Sequence, residues 1–222
     1  MDQTNKTFFD ACAQGDLEAV VNALDNGADV NGVNGEGRTA LMRSAKRGHV
    51  DVVTLLLERG AKADAQDLKG KDALMAASKK GYTKTSKLLI DAGADVNTRD
   101  HKGRTALMRA SFLGHLDLVK YLVECGANVN NTDDMGRTAL MEAALAFRFD
   151  IIKFLIEEGA DVNAQDVNGC TALMRACYSG YADLIEYLLQ HNADKTIEDK
   201  DGNLAIHYVR QHSFEDLKHL LK

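Results

Sequence analysis

One hexapeptide, written five times with small edits, constrains this chain more than any other feature. It reads Gly37-Arg38-Thr39-Ala40-Leu41-Met42, then Gly70-Lys71-Asp72-Ala73-Leu74-Met75. Three further copies run from Gly103 to Met108, Gly136 to Met141 and Gly169 to Met174, and successive copies lie 33 residues apart. A fixed period of this size means that one supersecondary unit is stacked on copies of itself. Such a chain grows by adding units rather than by enlarging a single core. The sequence therefore divides into full units 34–66, 67–99, 100–132, 133–165 and 166–198. Residues 1–33 and 199–222 are degenerate end units, which must face water on one side. All seven form one repeat domain, 1–222.

Each unit reads as loop, helix, tight turn, helix, loop. In unit 100–132, Asp100-His101-Lys102-Gly103 is a turn signal. Thr105 suits the N-cap of a first helix, and Ala106 is a strong helix former at its first position. Leu107, Ala110 and Ser111 form a narrow stripe of mostly small residues, suited to close helix approach. Gly114 ends that helix as a left-handed cap. Asp117 opens a second helix, where a carboxylate meets the positive end of the dipole. Leu118, Val119, Leu122 and Val123 are its apolar stripe. Gly126-Ala127-Asn128-Val129-Asn130 then turns the chain back.

The combined pattern Asp-x-x-Gly-x-Thr-x-Leu-x-x-Ala, Gly-His-x-Asp-Leu-Val and Leu-x-x-Gly-Ala-Asp-Val-Asn resembles the ankyrin repeat, over nearly the whole chain. The resemblance implies an all-α repeat solenoid, an elongated, slightly curved stack of helix pairs with short β-hairpin-like loops at one side. It also implies a protein-binding role, through loop tips and the concave face of the first helices. The chain departs regularly from the family's Thr-Pro-Leu-His signature. Proline becomes Ala at 40, 73, 106, 139 and 172, and histidine becomes Met at 42, 75, 108, 141 and 174. In the family that histidine hydrogen-bonds between loops, so this network should be lost and a methionine ladder should offset it with apolar contact.

Three irregularities stand out. Asp72 replaces the capping Thr, a change expected to be neutral because Asp caps as well as Thr. Thr85 and Ser86 replace an apolar pair that is Val52-Val53, Leu118-Val119, Ile151-Ile152 and Leu184-Ile185 elsewhere, with Ser86 placed to bond the Tyr82 carbonyl. Phe147 replaces the turn glycine of positions 48, 81, 114 and 180. Left-handed backbone disfavours Phe by about 1–2 kcal/mol, so that turn is expected to be rebuilt.

Composition narrows the function. A net charge of −6 and a pI near 5.6 argue against nucleic acid as a partner, since phosphate binding needs a basic footprint. Neither a signal peptide nor a membrane-length apolar run is visible. The four cysteines, Cys12, Cys125, Cys170 and Cys177, lack paired spacing and read as reduced thiols of a cytoplasmic protein. No Gly-x-Ser-x-Gly, phosphate-binding loop or His-Glu-x-x-His occurs. A His212, Asp216, His219 metal face is opposed by Ser213, which falls in the inter-helix turn. The expectation is no catalytic residue, no cofactor, no metal and no enzyme activity.

Partner-binding residues are assigned from the repeat frame. On ankyrin geometry the concave side carries Arg38, Lys71, Arg104 and Arg137, with Arg43, Arg109 and Arg175 beside them. Of these, Arg38, Arg104, Arg109 and Arg137 are assigned to a partner's acidic segment, because guanidinium forks suit carboxylates. The alternative is a solvated basic face. The last two residues of each first helix are Lys46-Arg47 and Lys79-Lys80 early in the chain. They become Phe112-Leu113, Leu145-Ala146 and Tyr178-Ser179 later. Phe112, Leu113, Leu145 and Tyr178, extended by Phe147, are either an exposed contact patch or side chains tucked between units. The expected function is a monomeric cytoplasmic scaffold that binds one protein partner and neither nucleic acid nor membrane. A self-associating structural module and an enzyme subunit with a grafted site are the alternatives.

Overall fold

The computed structural model describes residues 3–222, apart from the side chain of His212. Helices come in pairs at the expected period. They are α1 (Gln3–Gln14) with α2 (Leu17–Asp25), α3 (Ala40–Arg47) with α4 (Val50–Glu58), and α5 (Ala73–Ser78) with α6 (Thr83–Asp91). Next come α7 (Ala106–Leu113) with α8 (Leu116–Glu124), α9 (Ala139–Leu145) with α10 (Phe149–Glu157), and α11 (Ala172–Ser179) with α12 (Ala182–Gln190). In the last unit two 3-10 turns, Ala205–Tyr208 and Gln211–Ser213, stand where a first helix would be, and α13 (Phe214–Leu221) follows. The fold is an all-α repeat solenoid. Its loops form no strand among the described residues, where one antiparallel bridge joins Val33 and Thr39.

Caps define the helices as the sequence implies. The side-chain oxygens of Thr39, Thr138 and Thr171 accept the N–H of Met42, Met141 and Met174 at 3.2–3.3 Å. Such a bond satisfies one of the orphan donors at a helix start. Gly48 and Gly180 end α3 and α11 in left-handed backbone, with φ of 75° and 78°. The second helices α4, α6, α10 and α12 follow His49, Tyr82, Arg148 and Tyr181, none of which caps with its side chain. Their first turns carry Asp51, Asp150 and Asp183 in α4, α10 and α12, while α6 has no acid there.

The helices pack into two compact units, the chain up to Ala106 with Glu124–Gly126, and Leu107–Val123 with Ala127–Lys222. In the first, Phe8, Leu41, Leu56, Leu74 and Leu89 are fully buried, and Met42 and Met75 are buried with them. Neighbouring loops are bonded together. The Leu68 and His101 N–H groups donate to the Glu36 and Lys69 carbonyls at 3.1 and 3.0 Å. The Gln66 side-chain amide donates to the Gly70 carbonyl at 2.9 Å and to the Arg99 carbonyl of the next loop at 3.4 Å. A glutamine therefore supplies inter-loop bonding that the missing histidine implied would be lost. At the opposite end, the Asn31 amide donates to Gly60 O and its oxygen accepts from Lys62 N, both at 2.9 Å. The side chain of Asp64, one period on, has no N–H to donate to a carbonyl.

Repeat 67–99 is unlike its neighbour. Asp72 caps Met75 N–H at 2.7 Å, yet its other oxygen, Oδ2, is buried without a hydrogen-bond partner. Burial drives this carboxyl up to about 6, against the Met75 N–H and the Thr98 hydroxyl, which favour ionisation. The substitution is therefore not neutral: a threonine offers one oxygen to the cap, whereas an aspartate must also bury a second. Thr85 and Ser86 are fully buried, and with Ser78 their hydroxyls lack partners. Tyr82 O accepts the backbone N–H of Ser86 at 2.9 Å, not its hydroxyl.

The second unit repeats the same devices. Asn130 and Asn163 donate to the carbonyls of Gly159 and Asn192 at 3.0 and 2.9 Å. Gln165 joins the Gly169 and Glu198 carbonyls at 2.8 and 3.0 Å. Met174 is buried, and its Sδ also accepts Thr171 N–H at 3.4 Å. The turn at Phe147 is not rebuilt. Phe147 keeps the left-handed conformation with φ of 52°. Its N–H and that of Arg148 donate to the Ala144 and Ala143 carbonyls, the pattern seen at Gly48 and His49. An aromatic stack offsets the strain: the Phe147 and Tyr181 ring centroids lie 3.5 Å apart at an interplanar angle of 16°.

Candidate protein-binding surface

Three successive first helices of the second unit end in large exposed side chains. Phe112 is 39% exposed, Leu145 37% and Tyr178 48%. Leu113 and Phe147 are half-buried. Phe112, Leu113, Leu145 and Tyr178 sit where Lys46, Arg47, Lys79 and Lys80 are exposed in repeats 34–66 and 67–99, and Phe147 sits at the turn position of Gly48 and Gly81. The repeat places each at the last turn of its helix, outside the stripe that packs against the second helix. Ser179 Oγ reaches the Leu145 carbonyl at 3.5 Å, so consecutive helix ends lie side by side.

Two residues that the sequence reading did not single out complete this end of the unit. Tyr181 is 43% exposed. Arg148 is exposed, and its Nε donates to the Phe112 carbonyl at 3.1 Å. Both occupy the position after the turn residue, and at three places that position covers the turn glycine of the preceding repeat. A Cβ built on Gly15 would meet the His49 ring at 2.6 Å, one on Gly48 the Tyr82 ring at 2.9 Å, and one on Gly114 Arg148 Nε at 2.9 Å. These three turn glycines are thus roofed by a side chain of the next repeat, which would have to shift to admit a Cβ. His49 is fixed further by its Nε2, 3.1 Å from the Ala13 carbonyl. At Phe147 the ring escapes the clash by lying flat against Tyr181.

The arginines assigned to an acidic segment are engaged by the fold. Arg38 reaches Glu36 at 2.6 Å and the buried Asp67 at 3.3 Å. Arg137 holds the buried Asp133 at 2.6 Å and faces Glu142 at 3.4 Å. Burial opposes ionisation of Asp133, but the Arg137 guanidinium and backbone N–H groups still hold its carboxyl below the usual range. Arg175 pairs with the buried Asp166 at 2.6 Å. Arg104 and Arg109 are half-buried and not free. These aspartates also accept N–H bonds within their own tip loops, as Asp133 does from Met135 and Arg137 at 2.9 and 3.0 Å. Arg38, Arg137 and Arg175 therefore brace tip loops, and nothing in the 33-residue period alone could show that.

In the last unit the pattern changes chemistry. The Tyr208 hydroxyl donates to Asp199 Oδ2 at 2.6 Å and stands 3.0 Å from Cys170 Sγ. The Tyr208 bond draws the Asp199 carboxyl down to about 2. Burial and the aspartate both push the Tyr208 phenol up. Burial pushes the Cys12 and Cys177 thiols up to about 12, and all four cysteines are free. Among the described residues no three His, Cys, Asp or Glu side chains are grouped to hold a metal ion. The His212, Asp216, His219 face that the sequence argued against includes the side chain of His212, which lies outside the described residues. No helix among them is long and apolar enough to cross a membrane.

Family models for ankyrin repeats match this geometry along the chain. A three-copy model matches residues 8–100 and again 97–166, and a many-copy model matches 155–209. No curated protein matches the sequence. Capped helix pairs at a constant period, left-handed turns and bonded tip loops agree with those matches, and the chain belongs to the ankyrin repeat family, whose members are generally protein–protein interaction modules and typically not enzymes.

Proposed function

We propose that this protein is a monomeric cytoplasmic scaffold that holds one protein partner on the first-helix ends of its second unit. One observation carries the reading: Phe112, Leu145 and Tyr178 are exposed at positions that carry lysine in repeats 34–66 and 67–99. Apolar and aromatic anchors within a polar rim are the usual make-up of a binding hot spot. The engaged state of Arg38 and Arg137 supports a bracing role for the tip arginines. Arg104 and Arg109 stay in the proposed contact set only as a rim that steers association.

The test is a binding measurement on a partner isolated with the intact protein. Phe112→Ala or Tyr178→Ala should weaken binding by about 2 kcal/mol or more and change folding stability by less than about 1 kcal/mol, as suits an exposed site. Unfolding of either variant with binding preserved would move the contact elsewhere. A mass that rises with concentration in light scattering, and falls on Phe112→Ala, would assign the surface to self-association instead.

A further inference from the structure

Two guanidinium groups of the second unit remain after the fold has engaged the others. Arg137 and Arg175 are tied to buried aspartates. Arg148 makes one hydrogen bond, through Nε to Phe112 O, which leaves its terminal nitrogens without a partner among the described residues. Arg210 lies over the Tyr178 ring, 4.3 Å from its centroid, with no ion pair among the described residues. Both side chains are exposed. They bracket the apolar strip, Arg148 at the Phe112 end and Arg210 at the Tyr178 end. Between them, Phe147 holds a strained left-handed turn and puts an aromatic ring where the other units have glycine. Strain kept at a surface position is characteristic of functional sites.

The geometry points to a partner of defined chemistry: an amphipathic helix with an apolar stripe and a carboxylate towards each end. This rests on the reading that the strip is the binding surface. Carboxylates follow from the two unengaged forks, which match them in plane and spacing. The helix follows from the repeat distance. Packed helix layers lie about 10 Å apart. In a helix, residues i and i+7 share a face and lie about 10.5 Å apart, so one stripe can meet three successive layers. An extended segment returns to the same face about every 7 Å and falls out of step. The two guanidinium groups stand two layers apart, about 20 Å, which two steps of seven residues span, so the carboxylates lie roughly fourteen helical residues apart on one face.

The experiment selects from a phage library of random 18-residue peptides on the full-length protein, then measures a synthesised winner by fluorescence anisotropy. Selected peptides should combine apolar residues at helical period with Asp or Glu near both ends, and gain helical circular dichroism on binding. Arg148→Ala and Arg210→Ala should each weaken binding about fivefold or more, and added salt should weaken it further. Arg38→Ala, in the other unit, should change it less than about twofold. Peptides without acidic enrichment, or indifferent to both arginine changes, overturn the inference; so does a library that yields no binder. If such peptides still lose binding on Phe112→Ala, the strip remains the contact surface and only its acidic helical partner falls. If they also ignore Phe112→Ala and Tyr178→Ala, both readings fall together.

Discussion

In repeat 34–66 the helix pair closes on Val52 and Val53; in repeat 67–99, in the same compact unit, those positions are Thr85 and Ser86. Both repeats keep the helix pair, although the first helix is two residues shorter in the second, and the polar chemistry inside differs. Ser44 of the first repeat is fully buried, and its hydroxyl bonds to the Cys12 and Ala40 carbonyls at 3.2 and 3.1 Å. Ser78, Thr85 and Ser86 of the second are as deeply buried and bond to nothing. The caps differ in the same sense, Thr39 offering one hydroxyl and Asp72 a carboxylate with an orphan oxygen. The loop clamp made by Asn31 is missing at Asp64. Repeat geometry is thus set by period, caps and turns, while stability is assigned repeat by repeat according to how buried polar atoms are satisfied.

The largest expected effect is at Asp72. Its carboxyl titrates near 6 in the folded protein against about 4 when unfolded. The folded state therefore binds the proton more tightly, and Asp72 withdraws stability as pH rises from about 4 to about 6. Asp72→Thr should stabilise the protein by up to roughly 3 kcal/mol at pH 7. The gain should shrink towards pH 4, read as the difference between variant and parent in denaturant titrations. An equal gain at both pH values would mean that the buried charge is not the cause. Next in size is Thr85→Val with Ser86→Val, which should add about 1–2 kcal/mol by matching repeat 34–66. A loss would show that both hydroxyls are satisfied and that the two repeats differ less than their atoms suggest. Asp64→Asn is the smallest, about 1 kcal/mol, from restoring the clamp; no change in midpoint would make that clamp incidental.

Much of this was legible in the sequence. The period fixed the units, and the Thr-Ala-Leu-Met segments gave the first-helix starts through a cap to the third residue on, as at Thr138 and Met141. The exposed ends at Phe112, Leu145 and Tyr178 fall where the repeat frame put them. What stayed hidden was pairing between repeats. Arg38 and Asp67 are 29 residues apart and meet only because the units stack. Nothing in the sequence set Arg148 apart, because its reach to Phe112 O spans 36 residues. Phe147 misled for a related reason. A penalty for left-handed backbone can be read from one residue, but the Tyr181 ring that offsets it belongs to the next repeat.

The asparagine clamp carries a consequence for how such a gene can change. Asn31, Asn97, Asn130 and Asn163 each donate to a carbonyl 29 positions ahead. An insertion or deletion of a whole period leaves a clamp partner at that offset. Any other length moves the carbonyl away and leaves a polar amide facing the wrong loop. Unequal crossing-over between repeats conserves the offset, whereas a slip of a few codons does not. Lengthening or shortening in steps of one repeat therefore keeps each such clamp, and its contribution of about 1 kcal/mol, in register, and Asp64 marks the repeat that folds without the amide.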